Sequence, residues 1–360
     1  MYLNHWLDRL KVMSSRRRVF RGRRHRIQHD RTAPAVELLE DRTLLSSIDL
    51  TAGVLTFNGS ASAAESLSVS VAGEVYTFES SEVISVTDDT GTATGDGTIT
   101  VTIGAVAGDV TEINVALGDL DDTLTVTGVN DPLDFDGEGG DDTLTHVGGA
   151  NTFNITGSDS GNVGGAGTID FSGTENLAGG TGDDTFNIAS GATLTGDITG
   201  GTGDDTITQA DGTNTWDITA TNAGDVTDIG TFSGVENLNG GTDQDTFNVT
   251  VASSFNLNGG AGDDVFDVDA TLTGAIDGES GADTLQGDVI DSVDLSGASD
   301  ADGARGNEVD LTGGFDGINT LTGNGGTLLG RNAASTWDLD GTPTYNDGND
   351  LSIGGFVTLQ

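Results

Sequence analysis

The stretch from Gly179 to Thr208 limits what this chain can become more than any other. It reads GGTGDDTFN, then a spacer IASGATLTGDIT, then GGTGDDTIT. Both nine-residue units follow the pattern G-G-x-G-x-D-x-U-x, where U is a large apolar residue. Asp184 and Asp205 hold the sixth place; Phe186 and Ile207 hold the eighth. Paired glycines let the backbone turn sharply without a Cβ clash. The apolar residue at place eight opens a strand and aims at a core. The unit recurs as GEGGDDTLT around Asp142, GGAGDDVFD around Asp264 and GESGADTLQ around Asp283. GGTDQDTFN places Asp245 sixth, and GDLDDTLT places Asp122 in a poorer glycine frame. The intervals between these seven aspartates are 20, 42, 21, 40, 19 and 19.

A period near 20, with two doubled intervals, predicts one solenoid turn per repeat. The midpoints of the doubled intervals, near Gly164 to Gly167 and Gly224-Asp225, read as degenerate turns. Within a rung, Phe186, Ile188, Leu194 and Ile198 are the expected inward positions. Four such residues cannot stabilise one rung, but stacked rungs share a continuous core. A longer repeat lies over the short one. Asn151-Thr-Phe-Asn-Ile returns as Asn214-Thr-Trp-Asp-Ile and as Ser335-Thr-Trp-Asp-Leu. Phe171-SGTENLAGG returns as Phe232-SGVENLNGG and, loosely, as Phe315-DGINTLTGNGG. The predicted fold is therefore all-β, a parallel β-solenoid of β-helix or β-roll type with about 20 residues per rung.

The nine-residue unit resembles the RTX, or haemolysin-type, calcium-binding repeat. That resemblance implies Ca²⁺ held between equivalent turns of neighbouring rungs. The implied ligand positions are Asp122, Asp142, Asp184, Asp205, Asp245, Asp264 and Asp283, with the turn glycines Gly180, Gly182, Gly201, Gly203, Gly260 and Gly262. Carboxylate and carbonyl oxygens without nitrogen or sulfur suit this ion. Stacked aspartates would repel one another, and a shared divalent ion would remove that cost. The preceding Asp141, Asp183, Asp204 and Asp263 are expected to face solvent. RTX rungs carry the motif on both sides; here one side carries it.

Charge is distributed unevenly. Residues 1–42 hold eleven Lys and Arg against five acids, whereas the rest holds only Arg305 and Arg331 against 53 acids. An acidic body of this kind repels nucleic acid and anionic membranes, so neither is an expected partner. No run of 18 apolar residues occurs, and membrane insertion is not expected. Absence of Cys removes disulfides, thiolate nucleophiles and Cys-based zinc sites. Leu39-Glu40-Asp41-Arg42-Thr43-Leu44-Leu45-Ser46 resembles the LExRxLLS segment of planctomycete surface proteins, and with the basic run before it implies export. Four regions follow: residues 1–46, a basic export segment; 47–117, strand-rich or irregular first rungs; 118–290, the repeat array; and 291–360, degenerate rungs.

Catalysis finds little support. His146 is the one histidine after residue 29, and no body lysine exists. A polysaccharide lyase or hydrolase on a β-helix is the alternative, with Arg305 and Arg331 as its candidate basic residues. Trp216 and Trp337, which stand where Phe153 stands in the first copy, are expected to pack rather than to stack on sugars. The reading is an exported calcium-binding repeat protein, not an enzyme, with a structural or adhesive role. It would work outside the cell or at its surface, beside surface polysaccharide or other surface proteins.

Overall fold

The computed structural model describes residues 46–360, apart from 89–92, 96, 105–109, 165–167, 299–301, 332–333 and 348–349. Residues 1–46, expected from sequence to be a basic export segment, lie outside the described residues, save Ser46. Every regular element described is a β-strand, and the strands join in one continuous sheet wound into rungs.

Parallel pairing of successive rungs is the rule. Thr152–Gly157, Thr185–Ile188, Thr206–Gln209, Asn237–Asn239, Asn256–Asn258 and Ile276–Asp277 stack in order. Their register puts Phe153, Phe186, Ile207, Leu238, Leu257 and Ile276 in one inward row, all buried. A second row runs Trp216, Phe247, Phe266, Leu285, Leu321 and Ile353. Phe153 stacks on Phe186 at 4.7 Å, and Phe247 on Phe266 at 5.1 Å, with rings within 13° of parallel. Alternate residues point outward, as period-two strands require. Phe186, Ile188, Leu194 and Ile198 all face the core, as their spacing predicts. Trp216 is fully buried and stacks on Phe247; Trp337 is half-buried against Tyr345.

The doubled intervals differ from the expectation of degenerate turns. There the chain doubles back. Thr152–Gly157, Ser160–Gly164 and Ile169–Ser172 form an antiparallel meander. Thr215–Ala220, Ala223–Val226 and Ile229–Ser233 repeat it. So do Ser292–Ala298, Ala304–Glu308 and Leu311–Ile318, and again Thr336–Asp338, Thr344–Asn346 and Asp350–Gly354. Gly164 and Gly224-Asp225 are therefore strand residues. The longer sequence repeat is this meander. In three copies the ring of Phe171, Phe232 or Phe315 lies over a glycine of the middle strand, Gly161, Gly224 or Gly306. A Cβ there would stand 2.5–2.9 Å from the ring.

The first rungs join the same sheet. Val54–Asn58 leads into Glu112–Ala116, and Ser66–Ala72 into Thr123–Thr127, both in parallel. The antiparallel strands Val75–Asp88 and Thr98–Gly104 lie beside them. Hairpins of this kind leave fewer unpaired parallel edges at the start of the solenoid.

Candidate functional site: the aspartate corners

All seven sixth-place aspartates are buried, none more than 1% exposed. Each lies at the corner where a glycine turn enters a strand. The turn geometry explains why. In GGTGDDTFN the first glycine, Gly179, has no side chain on its inner side. Asp184 fills that space, and a Cβ on Gly179 would lie 2.4 Å from Asp184 Oδ2. The same relation holds between Gly137 and Asp142, Gly200 and Asp205, Gly240 and Asp245, Gly259 and Asp264, and Gly278 and Asp283, at 2.3–2.6 Å. Place one is glycine because the aspartate at place six occupies its side-chain space.

One oxygen of each carboxylate is used. Asp142 Oδ1 accepts the backbone N–H of Asp122 at 2.7 Å, Asp205 Oδ1 that of Asp184 at 2.7 Å. Asp264 Oδ1 accepts from Asp245 N at 2.7 Å, and Asp283 Oδ1 from Asp264 N at 2.9 Å. Four pairs of these aspartates on neighbouring rungs, Asp122–Asp142, Asp184–Asp205, Asp245–Asp264 and Asp264–Asp283, are thus brought together. A second set of bonds runs the other way one residue earlier. Asp141 N–H donates to Asp121 Oδ1, Asp204 N–H to Asp183 Oδ1, and Ala282 N–H to Asp263 Oδ1, at 2.9–3.1 Å. These fifth-place side chains are exposed. Neighbouring rungs are therefore fastened in both directions at the Asp122–Asp142, Asp184–Asp205 and Asp264–Asp283 corners.

The bonds divide the corners into three spines. The first runs Glu65, Asp122, Asp142, Glu175; the second Asn151, Asp184, Asp205, Glu236; the third Asn214, Asp245, Asp264, Asp283, Asn319. Glu65 N donates to Asp122 Oδ1, Asn151 N to Asp184 Oδ1 and Asn214 N to Asp245 Oδ1. At the other ends Asp142 N donates to Glu175 Oε2, Asp205 N to Glu236 Oε2 and Asp283 N to Asn319 Oδ1. These six end residues escape a search for the nine-residue unit. A shared signal does mark them: Asn151-Thr-Phe and Asn214-Thr-Trp occupy the frame of Asp184-Thr-Phe, and Glu175-Asn-Leu and Glu236-Asn-Leu follow it.

The second oxygen of each aspartate has no hydrogen-bond partner, although it is buried. A following-rung carbonyl comes near it. Asp184 Oδ2 and Gly200 O both stand within 2.7 Å of the point where a Gly179 Cβ would be. Asp142 meets Gly173 O in this way, Asp205 meets Gly234 O, Asp245 meets Gly259 O and Asp283 meets Gly317 O. The carboxylate oxygen and the carbonyl converge on the space above the first-place glycine, and the buried carboxylate oxygen has no donor there, which calls for a proton or a cation. Burial accordingly pushes the carboxyls up, Asp142, Asp245 and Asp283 to about 7 and Asp122 to about 6. The donated N–H lowers each in part, and neighbouring acids raise it again. Asp184, Asp205 and Asp264 are raised for the same first reason.

The donor chemistry of a corner fits a hard cation: oxygen only, one carboxylate oxygen free, a carbonyl beside it. Among the described residues no group of three or more His, Cys, Asp or Glu side chains forms a cage. The turn glycines named from sequence lie close to the rung before. A Cβ on Gly201 would stand 2.2 Å from Gly180 O, on Gly203 1.9 Å from Gly182 O, and on Gly260 2.2 Å from Gly241 O. Gly262 approaches Asp243 O, and Gly180 and Gly182 approach His146 O and Gly149 O. They are required by rung stacking, whatever occupies the corner.

The two arginines of the body form ion pairs away from the corners. Arg305 pairs with Asp316 through both Nε and Nη2, and Arg331 Nε stands 3.3 Å from Asp347 Oδ2. His146 ends the strand Thr143–His146, half-buried, and burial pushes its pKa down. Among the described residues no helix is long and apolar enough to cross a membrane. No protein-family model matches the chain, and no curated protein matches it.

Proposed function

We propose that this chain is an exported structural module whose solenoid is completed by Ca²⁺ at the aspartate corners, serving adhesion or architecture at the cell surface. One observation carries the reading: seven buried aspartates stacked in three rows, each with an oxygen that the protein leaves unpartnered. The chain's own part is to hold these oxygens. The N–H of the preceding rung fixes Oδ1, the glycine at place one makes room for Oδ2, and the following carbonyl supplies a second oxygen. When bound, the ion would add the positive charge that the converging oxygens lack. Few carboxylates per corner argue for weak binding, on the order of 10⁻⁴–10⁻³ M as in extracellular modules. The pairing of both arginines with aspartates favours this reading over a polysaccharide lyase, which would want a free cation beside its acidic substrate.

Titrating the full chain with Ca²⁺ and, separately, Mg²⁺ while recording far-UV circular dichroism tests the reading. A cooperative gain of β signal or of melting temperature with Ca²⁺ alone is expected, reduced in Asp184→Ala and Asp205→Ala. Identical spectra and melts in chelator and in millimolar Ca²⁺ would overturn it.

A further inference from the structure

Three positions in the spines carry an amide instead of an acid: Asn319, half-buried at the end of the third spine, and two buried corners at the starts of the second and third. Asn151 occupies the position of a sixth-place aspartate one rung before Asp184, and Asn214 does so before Asp245. Their side chains are nearly as buried as those of the aspartates, at 6% and 4% exposure. Asn151 Nδ2 donates to Asp184 Oδ1 at 2.8 Å, Gly149 O at 3.1 Å and Gly179 O at 3.3 Å. Asn214 Nδ2 donates to Gly212 O at 2.8 Å, Asp245 Oδ1 at 2.9 Å and Gly240 O at 3.3 Å. All partners are acceptors, so the NH₂ end of each amide must face them.

Gly179 and Gly240 are the first-place glycines of the rungs that follow. Asn151 and Asn214 thus send a donor to the kind of carbonyl that lies near Asp184 Oδ2 at Gly200 and near Asp245 Oδ2 at Gly259. Neither asparagine leaves a buried side-chain atom unpartnered; all seven aspartates do. The chain contains both versions of one corner, differing by a single atom.

We propose that Asn151 and Asn214 are built-in donors that close their corners without an ion. The ion demand of the solenoid is then confined to the aspartates of three separate spines. An amide placed at an aspartate corner should make that corner self-sufficient. Oδ1 would still accept the preceding N–H, and the new Nδ2 would reach the following glycine carbonyl. The donor argument stands on hydrogen-bond geometry; only the loss of ion uptake rests on the calcium reading.

The test uses thermal melts of the full chain in chelator, at mildly alkaline pH, for wild type, Asp184→Asn with Asp205→Asn, and Asn151→Asp. The double variant should melt several degrees above wild type in chelator and respond less to added Ca²⁺. Asn151→Asp should melt several degrees lower. A double variant that melts below wild type or fails to fold, or an Asn151→Asp protein that melts unchanged, overturns the inference. If wild type ignores Ca²⁺ while the double variant still melts higher in chelator, the calcium reading fails and the donor inference holds.

Discussion

The corner aspartates are unusual at the level of the single side chain, because burial leaves them hard to ionise. The folded carboxyls of Asp122, Asp142, Asp245 and Asp283 are pushed up to about 6–7 and the other three are raised in the same direction, whereas an unfolded aspartate loses its proton at about pH 3.9. Between those limits the folded chain binds more protons than the unfolded one, so stability falls as pH rises through the window. The metal-free protein should therefore melt higher at about pH 5 than at about pH 8, most clearly in high salt, where repulsion among exposed carboxylates is screened. Melts in chelator across that range check this; a melting temperature that climbs with pH would show that the spines carry no such protons. Calcium should act in the opposite sense, stabilising most at alkaline pH where it need not displace protons. The seven aspartates were legible from sequence because a glycine frame fixes their place. Asn151, Asn214, Glu175 and Glu236 fill the same corner line without that frame, and only the following Thr or Asn and apolar residue betrays them.

Rungs and meanders differ in how much of them could be read from sequence. Parallel rungs announce themselves through the spacing of Asp184, Asp205 and their relatives. The meanders do not, since a period-two strand looks the same running forward or back. Ala223–Val226 carries Gly224-Asp225, which has turn composition, and yet it pairs on both sides. Its glycine serves a packing need: a Cβ at Gly224 would stand 2.4 Å from Asp217 O and 2.9 Å from the Phe232 ring. Rung stacking makes a sharper demand at Gly203, where a Cβ would lie 1.9 Å from Gly182 O. Backbone cannot yield there as a flexible side chain could. Gly203→Ala should cost about 3 kcal/mol or more, beyond ordinary overpacking. Gly191 also has positive φ, but its Cβ would meet nothing within 4 Å. Gly191→Ala should then cost only the backbone term, about 1 kcal/mol. Urea midpoints of the two variants decide it; equal losses would mean that turn conformation, not rung contact, selects these glycines.

At the scale of the molecule the question is whether a net charge of −45 is offset diffusely or at fixed places. The two possibilities respond differently to simple salt. Screening length shrinks from about 10 Å at 0.1 M to about 3 Å at 1 M, which quiets exposed carboxylates such as Asp121, Asp183 and Asp263. Buried oxygens at Asp142, Asp184 or Asp245 lie where mobile ions do not reach, and screening there is weak. In chelator, sodium chloride should therefore raise the melting temperature and then level off. Millimolar Ca²⁺ added at that plateau should raise it further, because only a coordinated ion answers the converging oxygens within a corner. Magnesium should do less, since it holds its waters and demands octahedral geometry that a carboxylate and a carbonyl per rung do not offer. If sodium chloride alone recovers the whole calcium effect, the acidic surface needs only countercharge. The spines would then be fasteners between rungs, held by their N–H bonds and their protons.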